Sequence, residues 1–347
     1  MKEYISEMNN HTYNAFHLRF GDRNLIPELK RLMRKVLAPA GVDMLILEID
    51  KSFVFQSHPE IDSGKNALTV DDAADLSAFS RNLGIEIVPL MQCLGHQGWG
   101  GSRSALLTAH PEFDETPNTP LNAEWPEIFC RSWCPQHPDI NEIVFDLMDE
   151  LIDGFSANYF HIGMDEVYEI ASDQCERCKN GNRAELFAKS VNDMYSHLSK
   201  ERGATVMMWG DRLIDAELFG YDNWEGDTFG TFHAIDHIPK DIVLLDWHYD
   251  EREKGFPTPR YFMEHGFSVM PACWFKQDVA VELFSEAEEA AKDLRASNQI
   301  FGRLVTSWHS WNEEAFDRFI AFTMKEGQVG EEQWRLYNTL QKVASME

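Results

Sequence analysis

Strand-like and helix-like segments alternate along this sequence almost from end to end, and that rhythm admits few folds. Short apolar runs with strand character lie at 15–20, 44–49, 85–91, 159–164, 205–209, 241–247, 267–273 and 301–308. Between them, apolar residues recur at helical spacing, as in Leu25, Leu29, Leu32, Met33 and Val36, and in Ile140, Ile143, Val144, Leu147, Met148, Leu151 and Ile152. Further helices are expected over 70–82, 186–198, 279–294 and 313–324, the first opened by Asp71 and Asp72. Eight strands with helices between them predict an α/β chain folded as a closed parallel (β/α)8 TIM barrel. An open doubly wound sheet is the other candidate, but it rarely uses eight strands without a glycine-rich first turn. No G-x-G-x-x-G or P-loop pattern is present. The reading is a single catalytic domain over 1–347, with the barrel at about 14–325 and an extra C-terminal helix at about 330–344.

One connection is too long for a simple turn. Residues 93–139 separate strand three from its helix and carry six prolines and three tryptophans: Trp99, Trp125 and Trp133. Loops of this length are usually functional or disordered. The aromatic content predicts an ordered wall of an active site.

In parallel α/β folds the C-terminal ends of the strands carry the chemistry. The fourth strand closes as His161-Ile162-Gly163-Met164-Asp165-Glu166. Side chains alternate along a strand, so His161, Gly163 and Asp165 share one face, and Phe160, Ile162 and Met164 share the other. Glu166 enters the loop, so its direction is set by the turn. Adjacent carboxylates aimed differently can take different roles. The other strand ends offer Arg19, Glu48 and Asp50, Gly95-His96-Gln97, Trp209-Gly210-Asp211, Trp247-His248-Tyr249, Trp274, and Trp308 with Trp311 just beyond. Aromatic faces stack on the C–H faces of sugar rings, while acids and Arg bind hydroxyls, so this set suits a carbohydrate pocket. For any one of these tryptophans taken alone core packing is the commoner role, but several at the same end of a barrel point to a site.

The charge balance agrees. Acids number 58 against 31 bases, a net charge of −27. That charge repels nucleic acid and anionic membrane surfaces, and neither is expected as a partner. No run of about 18 apolar residues marks a membrane span. The polar opening residues lack a signal-peptide pattern, so a cytoplasmic location is expected.

The strand-end motifs resemble those of family 20 glycoside hydrolases, the β-N-acetylhexosaminidases. The family's H-x-G-G-D-E element is similar to residues 161–166. Gly95-His96, Trp209-Gly210-Asp211, Trp247-His248-Tyr249, Trp308 and Arg19 match its other strand ends. The likeness runs from about Ala15 to Trp311. Met164 stands where the second glycine is usual, and the family's N-terminal α+β domain is not expected. The chain therefore looks like the compact, barrel-only branch similar to hexosaminidase D.

The resemblance implies exo-acting, retaining, substrate-assisted hydrolysis of terminal GlcNAc or GalNAc from a glycan or glycoside. It makes Glu166 the general acid and base. Asp165 becomes the partner of the substrate's 2-acetamido N–H, and Tyr249 the residue holding the acetamido oxygen. Trp209, Trp247, Trp274 and Trp308 are implied to surround the sugar, with Arg19, His96, His161 and Asp211 as further binding residues. A structural hydrogen-bonding role for His161 is weighed equally.

Three other readings stay open on the residues alone. One is a glycosidase using a second protein carboxylate, such as Glu48, Asp50 or Asp211. Another is a non-catalytic sugar-binding barrel, against which the presence of Glu166 argues. The third is a metal-dependent hydrolase with His17, His96, His161 and His248, but strand one lacks an H-x-H pair. No cofactor or metal is expected. Cys130, Cys134, Cys175 and Cys178 could supply four thiolates to a structural zinc, but their spacings differ, and ordinary free thiols are the preferred reading. Both monomer and homodimer remain compatible with the sequence.

Overall fold

Hydrophobic alternation closes the sheet into a ring. The computed structural model describes residues 11–321 and 331–346. Its strands are β1 (Tyr13–Arg19), β2 (Met44–Glu48), β3 (Glu86–Cys93), β4 (Tyr159–Gly163), β5 (Thr205–Trp209), β6 (Val243–Trp247), β7 (Ser268–Cys273) and β8 (Gly302–Val305). All pair in parallel in sequence order, and β8 returns to β1 with Tyr13 opposite Gly302 and Phe16 opposite Val305. The expected eight-stranded α/β barrel is what forms.

Each strand divides its side chains between two cores. Ala15, Ile46, Leu90, Tyr159, Met207, Trp209, Leu245, Met270 and Leu304 fill the barrel interior. Alternate residues such as Phe16, Leu45, Phe160, Ile162 and Val269 face the surrounding helices. Burying each large side chain of this kind contributes roughly 1.5–3 kcal/mol. The face division expected for β4 therefore holds.

The surrounding helices are α1 (Ile26–Leu32), α2 (Val70–Arg81), α3 (Ile140–Phe155), α4 (Arg183–Tyr195), α5 (Thr258–Glu264), α6 (Gln277–Leu294), α7 (Glu313–Ala321) and α8 (Glu331–Ala344). Thr69 starts α2 through a capping box with Asp72, which answers two amide groups that the first turn leaves unpaired. In α3 the periodic residues from Ile140 to Ile152 are buried as expected. Residues 322–324 of the expected α7, and the barrel's expected end near 325, lie outside the described residues. Helix α5 was not legible in the sequence: it is short and starts at Pro257–Thr258. Between β5 and β6 the described helical segments are short, at Asp211–Leu213, Ala216–Phe219 and Thr231–His237.

The long β3–α3 connection is ordered, and the cause is local. Arg131 is fully buried within it, paired to Asp114 at 2.8 Å and donating to the carbonyls of Thr116, Thr119 and Gly101 at 2.6–2.8 Å. A buried guanidinium is stable only with its donors filled, so this residue organises the loop around itself. A one-turn helix at Ala105–Ala109, capped by Ser104, sits within the same loop.

Candidate active site

The acids occupy a kinked stretch of backbone. Gly163, Met164 and Glu166 all adopt positive φ, at 68°, 78° and 50°. Gly163 has a second reason to be glycine: a Cβ there would meet the Gln92 side chain at 2.1 Å. Leu94 and His96, at the end of β3, are also left-handed. Such backbone costs of order 1–3 kcal/mol per residue and concentrates at functional sites. Met164 meets that cost with a completely buried side chain in the outer core, pointing away from the barrel mouth. The position that departs from the family motif is thus a packing residue.

At the mouth lies a cavity of about 450 Å³. Seven of the expected residues line it: Arg19, His96, Asp165, Glu166, Trp247, Tyr249 and Trp308. Four do not. Trp209 is fully buried beneath the cavity, its ring 5.7 Å from that of Trp308 and 4.8 Å from that of His161. His161 is equally buried, with Nδ1 accepting the Gly163 N–H at 3.0 Å. Both occupy inward-facing, buried positions next to the residues that line the cavity. Asp211 is buried and accepts from the Glu166 N–H at 3.0 Å and from Arg212 Nε at 2.7 Å. It therefore positions the acid's backbone. Trp274 packs behind Tyr249, with ring centroids 5.7 Å apart. Trp308 lies beyond β8, which ends at Val305, so the loop rather than the strand aims it.

The two carboxylates sit in different surroundings. His96 Nε2 is 3.2 Å from Asp165 Oδ2 and 3.3 Å from Glu166 Oε2, an ion-pairing distance to both. Burial pushes the His96 pKa down, but the Asp165 charge together with the neighbouring Cys130 and the hydrogen bonds to Asp165 and Glu166 more than reverses this and raises it well above its usual value. Burial pushes Asp165 up, but the charge and hydrogen bond of His96, helped by a backbone hydrogen bond and His161, together leave it lowered. Asp165 is thus an anion at neutral pH, and its Oδ1 has no hydrogen-bond partner among the described residues. His161 is shifted the other way, down to about 3, because burial outweighs the attraction of Asp165. It is a neutral ring.

The walls combine aromatic faces and polar groups. Trp247 and Tyr249 stack at 5.1 Å, and Trp308 Nε1 donates to the Tyr249 hydroxyl at 2.8 Å, leaving that hydroxyl its own proton to donate. Burial raises the Tyr249 pKa well above its usual value, so the proton stays on. Trp247 Nε1 points to Asp211 Oδ1 at 3.4 Å. Opposite, Arg19 Nε lies 3.3 Å from Glu48, which is also 3.2 Å from His17. Asp50 is held by Lys51 at 2.7 Å. Glu48 and Asp50 therefore line the cavity as members of ion pairs.

The wall expected from the long loop is present, supplied by Trp99 and Phe129 with ring centroids 5.3 Å apart. Trp224, from the β5–β6 connection, completes it against Phe129 at 4.9 Å. Neither Gln92 nor Trp224 was identified from the sequence. Gln92 is an inward-facing residue of β3, readable from strand alternation. Trp224 lies in a segment without periodicity and gave no such signal.

Among the described residues, two groups could supply three or more metal ligands: His96 with Asp165 and Glu166, and Glu115 with Cys134, Cys175 and Cys178. Three of the four paired cysteines of the sequence do meet. Cys130 does not join them and lies instead 3.9 Å from the Glu166 carbonyl. All six cysteines are buried and free of disulfides. No described helix is long and apolar enough to cross a membrane.

The family model for the glycosyl hydrolase family 20 catalytic domain matches residues 1–309. Bovine hexosaminidase D is 24% identical over 181 residues, covering 50% of this chain and 48% of that protein. A β-hexosaminidase of Emericella nidulans is 24% identical over 221 residues, covering 60% of this chain and 32% of that protein. The matches thus span about half or less of these relatives. Among solved structures, Flavobacterium johnsoniae chitobiase superposes with a TM-score of 0.66 at 20% identity, covering 96% of this chain and 48% of that one. The family 20 exo-β-N-acetylglucosaminidase of Vibrio harveyi, solved with N-acetylglucosamine, gives 0.64 at 18% identity, covering 96% and 54%. These likenesses bear on the fold.

Proposed function

The chain belongs to glycosyl hydrolase family 20, and from that premise we propose that it is an exo-acting β-N-acetylhexosaminidase releasing terminal GlcNAc or GalNAc with retention. One observation carries this reading: Asp165 and Glu166 meet side by side in an aromatic cavity whose Tyr249 hydroxyl is fixed by Trp308.

In the first step the substrate's acetamido oxygen bonds to the anomeric carbon as the glycosidic C–O bond breaks. The leaving oxygen takes the proton of Glu166. Asp165, anionic and with acceptor capacity left, takes the acetamido N–H and offsets the positive charge growing there. Tyr249 hydrogen-bonds the acetamido oxygen and holds it in line. In the second step water attacks the anomeric carbon and gives its proton to Glu166, and the bond to the acetamido oxygen breaks. Two inversions give net retention. Trp247 and Trp308 flank the sugar, with Trp209 and His161 as the floor that keeps them in place. Arg19, braced by Glu48, binds hydroxyls at the non-reducing end. Trp99, Phe129 and Trp224 form an aromatic rim on the side of the departing group. The whole chain acts as one catalytic unit. Its free thiols suit a reducing, cytoplasmic setting.

The test is a panel of aryl N-acetyl-β-glucosaminide, N-acetyl-β-galactosaminide and plain β-glucoside. An N-acetyl sugar should be cleaved far faster than the glucoside, and Glu166→Gln should lose most of kcat. Equal rates on acetamido and plain sugars would transfer the nucleophile's role to Glu48 or Asp50, which also line the cavity. Near-normal turnover by Glu166→Gln would end the assignment.

A further inference from the structure

Away from the cavity, four buried side chains from two different loops converge without any role in the chemistry above. Cys134 and Glu115 come from the β3–α3 loop, and Cys175 and Cys178 from the β4–α4 loop. Their ligand atoms all lie within 4.8 Å of one another, and the Cys134 and Cys178 sulfurs are 3.3 Å apart. We propose that Glu115, Cys134, Cys175 and Cys178 form a structural zinc site that fastens the β3–α3 loop to the β4–α4 loop.

The dimensions suit the ion. With Zn–S bonds near 2.3 Å, the edges of a tetrahedral ligand shell are about 3.8 Å, between the 3.3 Å Cys134–Cys178 separation and the 4.8 Å that bounds the group. Cys175 and Cys178 also have the local shape of a metal knuckle. The Cys178 and Lys179 amides fold back onto the Cys175 carbonyl at 3.2 and 2.9 Å, and the Gly181 amide onto the Cys178 carbonyl at 2.8 Å. This tight turn accompanies the close approach of the two sulfurs, within 4.8 Å of each other and of the other ligand atoms.

Glu115 supplies an independent indication. It is fully buried, and Oε1 is satisfied by the Ser172 N–H at 3.0 Å. Its other oxygen, Oε2, is buried with no well-aligned hydrogen bond among the described residues and has only the Cys175 and Cys178 thiols to turn to. A buried carboxylate surrounded by thiols is costly unless a cation answers it. The donor set chooses the cation: three soft sulfurs select zinc over magnesium or calcium. Four protein ligands in a closed, buried shell leave no open position, which marks a structural rather than a catalytic site. The two loops joined are those that carry His96, Trp99 and Phe129 on one side and follow Asp165 and Glu166 on the other. The metal would hold the cavity wall to the acid-bearing loop.

The test uses the full-length protein, equilibrated with zinc and desalted, with metal measured by atomic emission and by native mass spectrometry. About one tightly held zinc per chain is expected, as for structural sites of this type. Cys178→Ser and Glu115→Ala should lower the zinc content at least several-fold, whereas Cys273→Ala should retain it. Cobalt substitution of the wild-type chain should produce tetrahedral bands with thiolate charge transfer, which keeps the test decisive if a variant fails to fold. Folded wild-type protein that takes up no zinc would overturn the proposal. So would an intact mass two hydrogens lighter with two thiols lost to a Cys134–Cys178 disulfide, or stoichiometric zinc that persists in both ligand variants.

Discussion

Replacing Asp165 with Asn separates its role from that of its neighbour more cleanly than any other single change. The volume is nearly unchanged and one acceptor oxygen remains, but the charge is gone. Asp165 is 7% exposed, its Oδ2 lies 3.2 Å from His96, and its Oδ1 has no hydrogen-bond partner among the described residues. His96 stays 3.3 Å from the Glu166 carboxyl, so the ring keeps a hydrogen-bonding neighbour and the fold should survive. In the proposed mechanism the lost charge accepts the acetamido N–H. A hydrogen bond to a charged group contributes about 1.5–3 kcal/mol. Electrostatic support of charge developing in the transition state is worth about 2.7–4 kcal/mol. The two overlap rather than add, so a loss near 3 kcal/mol is expected, roughly 10²- to 10³-fold in kcat. The plain β-glucoside has no acetamide, and its slow hydrolysis should change little. The assay is kcat and kcat/KM for wild type and Asp165→Asn on both aryl glycosides, with melting temperature as a control. The ratio between the two substrates should collapse. A loss below tenfold on the N-acetyl substrate, or an equal loss on both, would refute the role given to Asp165.

Three further outcomes are expected. His161 is neutral and held down to about 3, while the unfolded ring titrates near 6.5. The folded state then binds fewer protons across that window, so stability should fall as pH drops from about 6.5 toward 3, by up to ~1.4 kcal/mol per unit. Urea midpoints measured from pH 7 to 4 should slope less steeply in His161→Asn than in wild type. Asp211→Ala strips buried Arg212 of its nearest carboxylate and frees the Glu166 N–H; it should cost about 3–5 kcal/mol of stability and reduce kcat, whereas Asp211→Asn should do less on both counts. A denaturation curve that matches wild type for the alanine variant would contradict this. Met164→Gly relieves a left-handed backbone, worth about 1–2 kcal/mol, but removes a fully buried side chain worth about 2–5 kcal/mol. Net destabilisation of about 1–3 kcal/mol is expected with kcat nearly unchanged, and a large fall in kcat would show that the side chain shapes the site after all.

The sequence by itself determined the number and order of the strands, because apolar alternation and helical spacing are local properties that survive without contacts. It also determined the inward and outward faces of β4, and it brought Asp165 and Glu166 to a strand end. It did not reveal α5, a seven-residue helix that begins directly after Pro257. Depth within the barrel was decided only by the tertiary structure. Trp209, His161 and Asp211 sit at strand-end positions in the sequence, yet their ring neighbours and hydrogen bonds place them under the cavity as floor and brace. Trp274 is turned behind Tyr249, while Trp224 arrives from a connection with no periodic signal. The height of a side chain in a barrel depends on strand stagger and on the path of each loop, which are set by all eight strands together. The meeting of Cys134 with Cys175 and Cys178, and the exchange of Cys130 for Glu115, have the same origin. Those residues are up to 63 positions apart (178 − 115), and only the packing of two loops brings them together.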